Sequence, residues 1–194
     1  MTEQHRTHPV APIREGKYAR IERERRFLLA SPPPASAVVA TRRITDRYLT
    51  GTRLRLRRVE HIDTGSYEYK LTQKIPTHAP GPIQGLITNT YLTGAEYDVL
   101  SSLPADVLSK TRLSVPPMGI DIFDGPLTGL IMAEAEFTSD ATAAAFIPPP
   151  YCAAEVTTDP HFSGGRLVRA DPDELARWMT EYDISLDPNP TQPT

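Results

Sequence analysis

Glu22-Arg23-Glu24-Arg25-Arg26-Phe27 sets two carboxylates and a cation at alternate positions, immediately before the apolar run Phe27-Leu28-Leu29. Side chains two apart share a face of a β-strand, so Glu22, Glu24 and Arg26 point the same way. Such a trio is costly to bury in an apolar core and well suited to a metal site. Taken alone, the segment reads more readily as a solvated edge strand whose charges discourage aggregation.

The pattern recurs along the chain with the sign changing from segment to segment. Arginines alternate with leucines in Arg53-Leu54-Arg55-Leu56-Arg57, and lysines share one parity with Thr72 in Tyr69-Lys70-Leu71-Thr72-Gln73-Lys74. Lys110-Thr111-Arg112 pairs two more cations, and Ala133-Glu134-Ala135-Glu136-Phe137 returns to acid after Asp121. A half-buried strand ordinarily turns its polar residues to water. Here the polar faces are sorted so strongly by charge that they are expected to face one another. Each segment also has a plainer reading: Arg53 to Arg58 suits a solvent face or a nucleic-acid patch, and Glu134 with Glu136 is equally ambiguous.

Length and charge allow such an interior. A chain of 194 residues suits one domain with a sizeable core. Its net charge of −3, from 21 Lys+Arg against 24 Asp+Glu, gives no general attraction to nucleic acid or an anionic membrane, so any anion site is local. The single Cys152 forms no intrachain disulfide. Residues 1–16 lack the apolar stretch of a secretory signal, and no segment approaches the ~20 apolar residues of a spanning helix. A cytoplasmic protein is therefore expected, with disordered tails at 1–17 and 187–194 around one domain at 18–186. His5 and His8 fall in the first tail and are read as a solvated pair without a role.

Alternation and β-branched content predict strands near 20–29, 41–49, 52–60, 67–75, 84–92, 107–115, 118–123 and 129–137. Ser31-Pro32-Pro33-Pro34, Thr50-Gly51 and Asp63-Thr64-Gly65-Ser66 punctuate them, implying antiparallel neighbours. Thr93-Gly94-Ala95-Glu96 is a capping box that opens a helix. Asp171-Pro172-Asp173-Glu174 opens another at about 172–183, with Leu175, Trp178, Met179 and Tyr182 on one stripe, and 138–145 holds a short third. Gly164-Gly165 reads as a turn. Asp159, His161 and Ser163 lie in one local loop without a nucleophile elbow, so no hydrolytic triad is assigned to them.

In order, these blocks resemble the CYTH domain proteins, also called triphosphate tunnel metalloenzymes. The resemblance begins with an ExExK-like strand at Glu22 to Arg26. It continues through Ile44-Thr45-Asp46-Arg47-Tyr48-Leu49, the basic segments at 53–57, 69–74 and 110–112, and Ile120-Asp121-Ile122-Phe123. The acidic segment 133–137 and Glu155-Val156-Thr157-Thr158-Asp159-Pro160 complete it, so that it spans roughly Tyr18 to Ala170. It implies a mainly β, α+β fold: a closed eight-stranded antiparallel barrel with helices outside and a polar, charged lumen.

It also implies binding of a triphosphate with two Mg²⁺ or Mn²⁺ ions. Phosphate contacts are expected from Arg53, Arg55, Lys70, Lys110 and Arg112, backed by Arg26, Lys74 and Arg57. Oxygen ligands are expected from Glu22, Glu24 and Glu136 for one ion and from Glu134 and Asp121 for the second. Glu24 and Arg26 are the expected catalytic pair. The family pattern has lysine where Arg26 stands, and arginine, always protonated, cannot act as a base there. A C-terminal helix can close one end of such a tunnel, which suggests a gate at 172–183.

The implied activity is hydrolysis of inorganic tripolyphosphate to pyrophosphate and phosphate. Thiamine triphosphatase, nucleotide triphosphatase or adenylate cyclase activity, and a polyphosphate- or triphosphate-binding module without turnover, stay open. Expected partners are a small triphosphate-bearing molecule, with no membrane and no nucleic acid beyond a triphosphate end; a homodimer is left open.

Overall fold

Strand β1 (Arg20–Leu29) changes neighbours along its length, and that change organises the molecule. The computed structural model describes residues 16–77 and 81–186. The expected tails, apart from residues 16 and 17, and with them His5 and His8, lie outside the described residues. Seven further strands complete the wall: β2 (Ala40–Leu49), β3 (Leu54–His61), β4 (Ser66–Pro76), β5 (Ile83–Leu92), β6 (Ala105–Val115), β7 (Met118–Phe123) and β8 (Ile131–Glu136). Their antiparallel order is β5-β4-β3-β2-β6-β7-β8-β1, and pairing of β5 with β1 closes the barrel.

Closure is tight at one point. Opposite Glu22, Gly85 adopts φ +138°, and a Cβ there would stand 2.1 Å from the carbonyl oxygen of Ile75. Only glycine fits that approach. Beyond Arg23 the free edge of β1 leaves β5 and, from Phe27 to Leu29, pairs with a short strand β9 (Cys152–Glu155). Sequence reading missed β9 because Cys-Ala-Ala-Glu carries no alternating pattern; backbone pairing to β1 makes it a strand.

Side-chain parity divides the wall into two faces. Outside, Phe27, Leu113, Ile120, Ile131, Ala133 and Ala135 form one apolar cluster covered by Phe137, Phe146 and Tyr151 around α2 (Asp140–Ala145). Helix α1 (Gly94–Ser101) lies across β3, β4 and β5, its Tyr97 ring 4.8 Å from that of Tyr69. The expected capping box opens it: Thr93 N–H donates to Glu96 at 2.7 Å and Glu96 N–H donates to Thr93 Oγ1 at 3.3 Å.

A second cluster closes one end of the lumen. Leu28, Leu108, Phe123 and Met132 have the parity of the interior, and they pack with Phe162, Leu167, Leu175, Trp178 and Met179. The last five belong to a C-terminal cap made of the 3-10 turn Pro160–Phe162, α3 (Gly164–Leu167) and α4 (Pro172–Thr180). Gly164-Gly165, read as a turn, thus starts a one-turn helix, and a Cβ on Gly164 would stand 2.1 Å from Tyr48 Oη. Among the described residues no helix is long and apolar enough to cross a membrane.

Candidate active site in the barrel lumen

The ladder registers fix which charges share the interior. Glu24 lies opposite Glu136 and Arg26 opposite Glu134; Arg112 lies opposite Asp121 and Arg42, Asp46 opposite Arg57, and Arg57 opposite Lys70. Two walls result. Carboxylates concentrate on β1 and β8, while cations concentrate on β3, β4 and β6.

Most of the cations are paired with acids. Arg57 makes a bidentate pair with Asp46, Nε to Oδ1 at 2.6 Å and Nη2 to Oδ2 at 2.7 Å, and Arg55 Nε stands 3.5 Å from the same carboxylate. Arg55 also donates to Thr72 at 3.4 Å, and Thr72 donates to Asn89 at 2.7 Å. On β6, Arg112 grips Asp121 through two bonds of 2.6 Å, Lys110 donates to the same carboxylate, and Arg112 reaches on to Glu134. Room for that reach comes from Gly119, where a Cβ would meet Arg112 Cδ at 3.2 Å. Lys74 pairs with Glu22 at 2.8 Å.

These contacts set the protonation of the site. Burial, reinforced by Glu134 and Glu22, pushes the Glu24 carboxyl up to about 7, against the opposing pull of Lys74 and Arg26. Burial would also raise Glu134, but Arg112, Lys110, Lys74 and Arg57 outweigh it and hold that carboxyl well below the ordinary range. Asp46 is likewise held low, burial being overcome by Arg57, Arg55 and Lys110. Lys70 is lowered by burial and by its neighbours Arg57 and Arg55. The interior therefore offers crowded cations that an anion would relieve, beside one carboxyl that an added cation would ionise.

The expected site residues separate into groups. Arg55, Arg57, Lys70, Lys110 and Arg112 come together on one side, and Glu22, Glu24 and Glu134 on the other; Glu136 lies opposite Glu24 in the ladder but is exposed. Arg53 does not join them: it stands exposed in the turn ahead of β3. Asp121 is 0% exposed and has both oxygens engaged by Lys110 and Arg112, so it organises cations. Arg26 is 6% exposed, and its two terminal nitrogens are taken up by protein oxygen acceptors, while its buried Nε makes no hydrogen bond among the described residues. Asp46 was not singled out as a site residue, although its parity with Ile44 and Tyr48 placed it on the inner face.

Among the described residues no three His, Cys, Asp or Glu side chains already form a metal cage. The donor chemistry nevertheless fits a hard divalent ion: Glu22, Glu24 and Glu136 supply oxygen only, and Glu24 carries the raised affinity for positive charge just described. Glu155, Thr157 and Asp159 serve structure. Glu155 accepts two bonds from Arg25, Thr157 accepts from Arg26 N–H, and Asp159 caps the 3-10 turn and accepts from Tyr182 Oη. Two surface hollows of about 350 and 620 Å³ contain none of the lumen charges.

No family model matches the chain. Over 53 residues it is 42% identical to an inorganic triphosphatase of Nitrosomonas europaea, a match covering 27% of this chain and 35% of that protein. The chain thus spans about a third of the length of this relative. A crystal structure of NE1496, named as an inorganic triphosphatase, superposes with a TM-score of 0.51 at 26% identity, covering 78% of this chain and 96% of the other. Another structure of NE1496, named as a hypothetical protein, gives the same TM-score at 28% identity, over 78% and 99% of the two chains.

Proposed function

We propose that this chain, a CYTH-type triphosphate tunnel protein by its closed barrel, its ordered motifs and its likeness to inorganic triphosphatases, hydrolyses inorganic tripolyphosphate to pyrophosphate and phosphate in its lumen. The observation that carries this reading is the pairing of a crowded cationic wall with a carboxylate wall inside one closed barrel. A linear triphosphate needs several fixed cations along its length, and the β3, β4 and β6 side chains provide them.

Asp46 keeps the Arg57 fork rigid, so little conformational entropy is lost when the guanidinium groups meet phosphate oxygens. Lys70 gains most from the anion, because its charged form is disfavoured by burial and by Arg57 and Arg55. Arg112 turns from Glu134 toward a phosphate, which frees Glu134 to join Glu22, Glu24 and Glu136 on the metal side. These carboxylates would hold Mg²⁺ or Mn²⁺; such an ion supplies neutralisation of phosphate oxygens and a lowered pKa for water. Asp121 stays with Lys110 and holds it in line. The closed end of the barrel keeps bulk solvent from the reacting phosphorus, so the fixed charges act on it more strongly than they would in water.

The test is phosphate release from tripolyphosphate, ATP and thiamine triphosphate with Mg²⁺, Mn²⁺ or a chelator, for the wild type and Glu24→Gln. The expected result is release that is fastest from tripolyphosphate, lost in chelator, and reduced by at least ~100-fold in the variant. Tight binding of tripolyphosphate without release under any metal would make the protein a binding module.

A further inference from the structure

Arg26 sits at the point where the edge of β1 passes from β5 to β9, and among the described residues no strand covers that gap. Glu24 N–H donates to Pro82 O at 3.0 Å, Arg26 N–H donates to the Thr157 hydroxyl at 3.0 Å, and Val156 N–H donates to Arg26 O at 2.8 Å. The side chain of Arg26 completes the junction. Nη1 donates to Phe162 O at 2.6 Å, while Nη2 donates to Thr157 O at 2.7 Å and to Gln84 Oε1 at 3.0 Å. Its Nε stands 3.7 Å from Glu24 Oε1.

We propose that Arg26 is a positioning residue: it clamps the C-terminal cap, the floor of the lumen, to β1 and steadies Glu24, and it does not contact the triphosphate. Three acceptors from three separate segments take up its two terminal nitrogens, and a planar fork spans them where a point-charge ammonium cannot. Contact with phosphate would strip buried carbonyl groups of their donors, which is unfavourable.

The carbonyl of Phe162 belongs to the 3-10 turn of the cap. The Phe162 ring meets Trp178 and Tyr182 edge-on, with centroids 6.4 and 5.8 Å away, and Tyr182 Oη donates to Asp159 at 2.7 Å. The segment expected to gate the tunnel is thereby tied from β1 through the 3-10 turn to α4. It forms a fixed floor.

The kinetic half of this inference rests on the triphosphatase reading; the clamp itself is tested without it. Amide hydrogen exchange is measured on the full chain for the wild type, Arg26→Lys and Arg26→Met, alongside kcat and KM for tripolyphosphate. Exchange over residues 157–163 should accelerate roughly 10-fold or more in both variants, with kcat falling about 10-fold or more and KM within about threefold. The lysine of the family pattern should not rescue kcat. Unchanged exchange, or a KM raised more than about 10-fold at constant kcat, would overturn the proposal and make Arg26 a phosphate ligand. Should Arg26→Met not fold, Arg26→Lys retains the charge and decides the matter. A wild type inactive on tripolyphosphate would refute the function while leaving the exchange result to judge the clamp.

Discussion

Asp46 and Glu24 are both buried carboxylates of one lumen, and their environments drive them in opposite directions. Asp46 is 1% exposed and bound by Arg57 in two places, so its removal strands a buried guanidinium. Asp46→Asn should cost about 3–5 kcal/mol of unfolding free energy in urea titrations. Because its folded-state carboxyl is held low, this stabilisation is complete above the unfolded value of about 3.9 and is lost as pH falls below it. Glu24 carries the reverse sign. Its carboxyl rises from 4.5 to about 7 on folding, so the metal-free fold loses stability as pH climbs through that window. In chelator, Glu24→Gln should therefore melt several degrees higher than the wild type at pH 8 and at about the same temperature at pH 4. A variant that melts lower at pH 8 would show that the raised carboxyl does not burden the fold. Most of these charges were legible from their spacing, since alternation alone assigns a face. The partners of Arg26 were not, because the carbonyl groups it binds arrive from Thr157 and Phe162, far along the chain, and a backbone acceptor has no signature in sequence.

Among the elements, the eight wall strands and the three expected helices were legible, because each has either a two-residue polar alternation or a capping residue with an apolar stripe. Strand β8 is shorter than its expected span, since Gly129 at φ +96° and the Leu130 N–H bond to Leu127 O turn the chain before Ile131. Short β9 and α3 escaped because neither carries a pattern of its own; each exists through contact with β1 or with Tyr48. Helix α4 shows how a legible element takes on a function. Asp171 accepts from Glu174 N–H at 2.8 Å while Pro172 opens the first turn, and Leu175, Trp178 and Met179 are driven into the end of the barrel. Leu175 is 0% exposed, and Leu175→Ala should destabilise by about 2–5 kcal/mol in thermal or urea unfolding. A loss below about 0.5 kcal/mol, the range of ordinary surface substitutions, would mean that α4 is not a packed floor.

At the scale of the whole molecule, a net charge of −3 conceals an interior in which charge is separated by strand. Closure of the barrel makes that separation chemically useful: β8 and β1 bring carboxylates, β3, β4 and β6 bring cations, and pairing of β5 with β1 encloses both. The fold was readable because many weak local signals had one common solution. What sequence could not give is the distribution of partners within the lumen, where Asp121 and Asp46 hold cations and Glu24 bears the unbalanced burial. Whether the lumen acts on a triphosphate is tested most directly by ³¹P NMR of tripolyphosphate with Mg²⁺ and the wild-type protein. The predicted spectrum loses the central-phosphorus resonance while inorganic phosphate and pyrophosphate appear in equal amounts. A tripolyphosphate spectrum that stays unchanged with Mg²⁺ and folded protein present would contradict the account.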